Sequence, residues 1–345
     1  MNLEKFNPEN VLVIDFGQLG DVVLSLPALR AIRERFPKAK ITVAVGKSGA
    51  EVINLSGYAD ATLMVDRVAL RDEFTPVSVF QIFKLVQDVR RRQFDFVIDL
   101  HSLSETNLLG FFSGAQKRLY SRRPGRSLDF LSNFQPRPPV EDAKQKHLVD
   151  LYLDVLLPLG VKNADRLPRL ATQALNDRHV EQLLRKAKAD SGSPLVGLFP
   201  GAGHSSRRWP LERFAELAEF LIRNDQMKVI VFAGPEEAGL VSKMRTLFPG
   251  PTVILDRLSV SQLASAVARL AAFVSNDTGP MHVASAVGTP VVLLLDKRAP
   301  QTYLPLGEHH RTIYNNLISE IPVEEVYEAT RSALARGRTA TLFAS

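Results

Sequence analysis

Short apolar runs alternate with stretches whose apolar positions recur every three or four residues along most of the chain. The run at 11–14 is of buried-strand type and is followed by the turn Gly17-Gln18-Leu19-Gly20-Asp21. Helical spacing then continues over 22–36 through Val22, Leu26, Leu29, Ile32 and Phe36, with Pro27 early in the helix. Further strands are expected at 41–45, 61–65 and 96–100, with an amphipathic helix at 77–92 closing on Arg90-Arg91-Arg92. That terminal charge suits the negative end of a helix. Strands separated by helices of this length predict a parallel sheet with right-handed crossovers. A basic run at 117–126 reads as a loop, 133–143 as a proline-rich low-order stretch, and 144–157 as a helix.

The alternation resumes at Leu195. Strands are expected at 195–199, 228–232, 252–255, 272–275 and 291–295, and helices at 211–223, 236–247, 259–270, 281–287 and 323–335. The segment 163–193, with a polar helix over 175–188, reads as the link between halves. The fold class is α/β: two doubly wound, Rossmann-like parallel-sheet domains facing a cleft, spanning 1–170 and 171–345. The last helix, about 322–336, is open to packing back on the first domain.

One stretch concentrates the candidate chemistry. Ser275 to Leu295 reads as a strand end, a polar turn and a short helix, then a second strand. Asp277 and Thr278 are good N-caps, and Pro280 suits a first helical turn. Unpaired N–H groups at such a terminus make a ready anion site, with His282 on the same end. The same residues also fit a plain capped helix with a packed histidine. Two more loops follow strands of this half. Residues 200–210 carry Gly201, Ser205, Ser206 and Arg207: glycines for close backbone approach, hydroxyls and a guanidinium for phosphate oxygens. The loop also fits a flexible turn held by Trp209-Pro210. In Ala233-Gly234-Pro235-Glu236-Glu237 a carboxylate could accept from ribose hydroxyls, or only stabilise a helix start. Three such loops on successive strands favour a nucleotide-diphosphate pocket.

The chain has 345 residues, net charge +6 and no cysteine. The last point excludes disulfides, thiolate metal sites and a cysteine nucleophile. The basic balance favours phosphate-bearing partners or an anionic membrane surface. The run at 117–126 is either a solvated loop or a docking surface for a polyanion. The N-terminal segment lacks an apolar leader core and no apolar run is long enough to span a bilayer, so the expected location is cytoplasmic. The first turn fails the G-x-G-x-x-G dinucleotide pattern, which argues against a dehydrogenase. Its Asp21 would repel a pyrophosphate; it is placed to accept a proton in an interdomain cleft, or is a first-turn acid favoured by the helix dipole. No metal-ligand spacing is found, so neither a metal nor another cofactor is expected.

The stretches VLVIDFGQLGDVVLSLPAL, FDFVIDLHSL, LFPGAGHSSRRWPLERFAELAEFL, VFAGPEE and SNDTGPMHVASAVGTPVV, in that order, resemble the ADP-heptose:lipopolysaccharide heptosyltransferases of glycosyltransferase family 9. The resemblance runs over nearly the whole length and implies the GT-B fold. It implies an inverting, metal-independent transfer of heptose from ADP-heptose to a Kdo or heptose acceptor of the lipid A core, at the cytoplasmic face of the inner membrane and without nucleic acid. Carried over by residue, Asp21 is the general base and Arg207 neutralises the leaving diphosphate where the family commonly has lysine. Gly201, Ser205, Ser206, Thr278, Gly279 and His282 hold the nucleotide, with Asp277 near the donor sugar and Glu237 on the ribose. Gly20, Arg118, Arg122, Arg123 and His147 are expected on the acceptor side. Where the family commonly has a basic residue ahead of the first glycine, this chain has Asp15-Phe16. Rival readings are a GT-B transferase or sugar-nucleotide epimerase using another donor, and a non-catalytic nucleotide-sugar-binding protein.

Overall fold

The computed structural model describes residues 6–65, 76–189 and 192–342. Residues 1–5, part of the leader argument, and 190–191 of the expected link lie outside the described residues. The chain divides into two compact units. The first takes 1–168 and 302–304, the second 169–301 and 305–345. Among the described residues no helix is long and apolar enough to cross a membrane.

The first unit is a parallel sheet of β1 (Asn10–Asp15), β2 (Lys40–Val45), β3 (Ala61–Met64), β4 (Phe96–Asp99) and β5 (Lys117–Tyr120), in the order β3-β2-β1-β4-β5. Helices α1 (Leu19–Arg35), α2 (Lys47–Ser56), α3 (Pro76–Arg91), α4 (Ser104–Phe112) and α5 (Leu148–Asp154) accompany it. Helix α1 runs straight through Pro27 and buries Val22, Val23, Leu24, Leu26, Leu29 and Ile32. It is covered by both α2 and α5, which outweighs the hydrogen bond lost at the proline. The basic run is not a loop throughout. Its first four residues form β5, where Lys117 and Arg118 are half-buried and Leu119 and Tyr120 are fully buried.

The second unit has β6 (Leu195–Phe199), β7 (Lys228–Phe232), β8 (Val253–Leu255), β9 (Ala272–Asn276), β10 (Val291–Asp296) and β11 (Arg311–Asn315), all parallel. Their order is β8-β7-β6-β9-β10-β11. The helices are α6 (Ala174–Lys186), α7 (Leu211–Asp225), α8 (Val241–Leu247), α9 (Val260–Val267), α10 (Gly279–Ala286) and α11 (Val323–Leu342). The polar helix of the expected link is α6, which packs on α9 as part of this unit through buried Val180 and Leu184. The helix expected from residue 236 begins as a 3-10 turn over Pro235–Leu240. Strand β11 escapes the apolar pattern because only Ile313 of its five residues is buried, as suits a sheet edge. Helix α11 packs against α7, β9, β10 and β11.

Candidate active site

In each sheet the strand order reverses once, and open α/β sheets place ligands outside the carboxyl ends of the strands at that point. In the second unit it lies between β6 and β9. The loops leaving them are tied together by Asn276, a fully buried side chain. Its Nδ2 donates to the carbonyls of Pro200 (3.0 Å) and Gly201 (3.1 Å), and its Oδ1 accepts from the Trp209 N–H at 3.0 Å. Trp209 is buried against Phe214 and donates Nε1–H to the Ile321 carbonyl. Arg208 clamps the turn from within, donating from Nε and Nη2 to the Ala202 carbonyl at 2.9 and 2.7 Å.

The β7 loop closes on the same place. Glu237 Oε2 accepts the Gly234 N–H at 3.0 Å. Its Oε1 lies 2.2 Å from where a Gly201 Cβ would stand, so only glycine fits there. Burial pushes the Glu237 carboxyl above the usual glutamate range, opposed chiefly by that hydrogen bond.

Helix α10 starts beside these loops. Thr278 is its N-cap residue, but the threonine side chain makes no capping hydrogen bond and instead lies 3.4 Å from Ser275 Oγ. Gly279 and Pro280 open the helix, and His282 in its first turns is buried. Arg207 ends the 3-10 turn Ser205–Arg207 with an exposed side chain whose Nη1 lies 3.8 Å from Asp277 Oδ2. Ser206 Oγ is 2.8 Å from His204 Nδ1. Thus Gly201 meets Glu237, Arg207 meets Asp277, and Thr278, Gly279 and His282 share one helix start. The arrangement supplies backbone N–H groups, hydroxyls, a guanidinium and a buried carboxylate, as a nucleoside diphosphate requires.

In the first unit the reversal lies between β1 and β4. Asp21 sits in the first turn of α1 and its Oδ2 accepts the Gln18 N–H at 2.8 Å, while Gly20 is buried beside it. At the end of β4, Asp99 is fully buried. It accepts from Ser102 N–H and Asn107 Nδ2, each at 2.7 Å. Burial pushes its carboxyl up to about 7, against the pull of those donors.

The side chains expected on the acceptor side have partners within their own unit. Arg118 donates Nε–H to the Leu131 carbonyl and Nη1–H to that of Ala115, with its guanidinium 5.3 Å from the Phe111 ring centroid. Arg122 reaches Asp129, and Arg123 Nε lies 2.9 Å from Glu141 Oε2. His147 caps α5, its Nδ1 accepting from Val149 N–H, so its Nε2–H donates to the Leu304 carbonyl at 2.8 Å. Burial holds that imidazole below its usual range, hence neutral at pH 7. These four side chains satisfy backbone carbonyls and carboxylates of their own unit. Sequence reasoning missed Asn276, Arg208 and Asp99. Asn276 and Asp99 were marked only by their position at strand ends, and Arg208 only by its place in the glycine loop.

Two doubly wound parallel-sheet units, the second with loops from β6, β7 and β9 meeting at its strand reversal, are the architecture of the GT-B class. The chain belongs to glycosyltransferase family 9 (heptosyltransferase), whose family model matches residues 82–328. It is 24% identical to the lipopolysaccharide core heptosyltransferase OpsX of Haemophilus influenzae, over 92% of this chain and 85% of that protein. The glycosyltransferase family 9 structure from Veillonella parvula superposes with a TM-score of 0.85 at 23% identity, covering 97% of this chain and 99% of that one. The ADP-heptose heptosyltransferase II of Escherichia coli superposes with a TM-score of 0.80 at 21% identity, covering 95% and 99%.

Proposed function

We propose that this chain transfers a heptose from ADP-heptose to a Kdo or heptose hydroxyl of the lipopolysaccharide inner core, by a single inverting displacement that needs no metal. The observation that carries the reading is the convergence on Gly201: Asn276 fixes its carbonyl and the Glu237 carboxylate fills the space of its missing Cβ. Such a glycine lets a nucleotide approach the backbone while a carboxylate waits for the ribose hydroxyls. The donor class is that of the Escherichia coli relative.

Asp21 removes the proton of the acceptor hydroxyl as its oxygen attacks the anomeric carbon on the face opposite the diphosphate. The bond from that carbon to the phosphate oxygen breaks, and ADP leaves with the electron pair. The start of α10 and Arg207 stabilise the developing charge, with Ser205 and Ser206 donating to phosphate oxygens. Asp277, held near Arg207, faces the donor sugar. Nothing in the step calls for a divalent cation, and the enzyme works at the cytoplasmic face of the inner membrane where its acceptor is made.

The test is ADP release from ADP-heptose with a Kdo-terminated lipid A acceptor, in EDTA. Asp21→Asn keeps an oxygen for the Gln18 N–H, so it is expected to lose turnover at least a hundredfold while binding ADP as the parent does. Selective binding of UDP or GDP instead of ADP would replace the donor, and turnover that survives Asp21→Asn would remove the base.

A further inference from the structure

Behind Asp21 lies a second carboxylate that the transfer step leaves unused. Asp15 ends β1, is fully buried, and accepts the Gly17 N–H on Oδ1 at 2.9 Å. The point where a Gly17 Cβ would stand is 2.4 Å from Asp21 Cβ and 2.9 Å from Asp15 Oδ1. The two acidic side chains therefore crowd the same point beside one glycine. His101, in the turn after β4, places Nδ1 3.9 Å from Asp15 Oδ1 with its side chain 13% exposed. Ser102 beside it holds a positive φ of 47°, fixed by its N–H to Asp99 and its Oγ to the Ser121 carbonyl. The turn that carries His101 is thus built rather than loose.

The geometry points to Asp15 as a positioning residue for Asp21: its side chain fixes the turn that presents Asp21, its ionised form raises that carboxyl's affinity for a proton, and a protonated His101 opposes the effect. The inference rests on the reading of Asp21 as the base. A carboxylate beside a second carboxylate holds its proton more tightly, and a cation beside the pair has the opposite effect. A base that must take a hydroxyl proton gains from the first. The titratable groups nearby among the described residues include Tyr152 of α5, whose phenol is buried and feels both Asp15 and Asp21, Arg123 with its partner Glu141, Tyr303, and Asp99 at the end of β4.

The two variants move Asp21 in opposite directions, which a purely structural role does not. The Asp21 carboxyl is titrated by its 13C shift in the full-length protein, for the parent, Asp15→Asn and His101→Gln. Asp15→Asn keeps an acceptor for the Gly17 N–H, and His101→Gln, at a partly exposed position, carries the test if the first fails to fold. The midpoint is expected to fall by about one pH unit in Asp15→Asn and to rise in His101→Gln. With ADP-heptose and the lipid A acceptor, the acid limb of kcat moves the same way while KM for ADP-heptose stays within twofold. An Asp21 midpoint that stays put, or moves the same way in both, overturns the inference. An Asp21→Asn enzyme that still turns over removes the base reading instead and leaves the titration result standing.

Discussion

Gly201 and Asn276 show how much of the proposed donor site rests on single atoms. An alanine at 201 would put its Cβ 2.2 Å from Glu237 Oε1 and 2.7 Å from Phe199 Cε1. The carboxylate has to leave its place, because Phe199 is a buried ring that ends β6. Overpacking of this kind costs about 1–3 kcal/mol. Gly201→Ala is therefore expected to lower Tm by a few degrees and to weaken ADP binding about tenfold, or about 1.4 kcal/mol, read by calorimetry. Unchanged ADP affinity would mean that Glu237 is not part of the nucleotide site. The glycine was legible in the sequence as a loop residue. The reason it must be glycine was not, because Glu237 approaches from a different strand. Asn276 was read only as part of a polar turn, since a side chain that bonds residues 67 and more positions away leaves no local mark.

At the scale of elements, the start of α10 and the β4–α4 junction behave differently from ordinary caps and cores. An N-cap threonine replaced by alanine usually costs about 1 kcal/mol. Thr278 makes no capping bond, so Thr278→Ala is expected to cost less than ~0.5 kcal/mol of stability while weakening ADP binding about fivefold, or about 1 kcal/mol. A full cap-sized loss of stability with unchanged affinity would make α10 a plain structural helix. Asp99 supplies a pH signature. Its folded carboxyl titrates at about 7, above the unfolded value of about 3.9. The folded state therefore holds the proton more tightly, and this contribution to stability is full below about pH 4 and lost as pH rises through about 7. In urea melts, the deficit of Asp99→Asn relative to the parent is expected to be larger at pH 5 than at pH 8. A deficit independent of pH would show that Asp99 is ionised throughout. The strand ahead of this junction was legible as an apolar run, but the segment after Leu100 looked featureless. Helix α4 has a mixed surface, and β5 has only two buried positions, Leu119 and Tyr120, after two charged ones, within a run that reads as a basic loop.

For the molecule as a whole, each unit carries its own sheet, and the second is completed only by the end of the chain. Helix α11 contributes buried Val323, Val326, Ala333 and Leu334 to the second core, and Trp209 donates to the Ile321 carbonyl just ahead of it. Each large apolar side chain so buried is worth about 1.5–3 kcal/mol. Their sum approaches the ~5–15 kcal/mol that holds a domain together. A chain stopped after Pro322 is expected to keep a protease-resistant first unit, lose the second and lose ADP binding. A truncated chain that binds ADP normally would show that the helix is dispensable.

What the sequence determined by itself is what depends on near neighbours along the chain. The alternation of apolar runs and amphipathic stretches set two parallel α/β sheets, and ordered motifs after successive strands marked the family and the loops of the donor site. Tertiary structure decided everything that needs two distant segments at once. It paired Arg118, Arg122, Arg123 and His147 with groups of their own unit, made β5 and β11 edge strands, and drew Asn276, Glu237 and Gly201 together. Hydrophobic periodicity is read over a few residues, whereas a buried polar group takes whichever partner the fold brings within 3 Å or so, and that choice has no period.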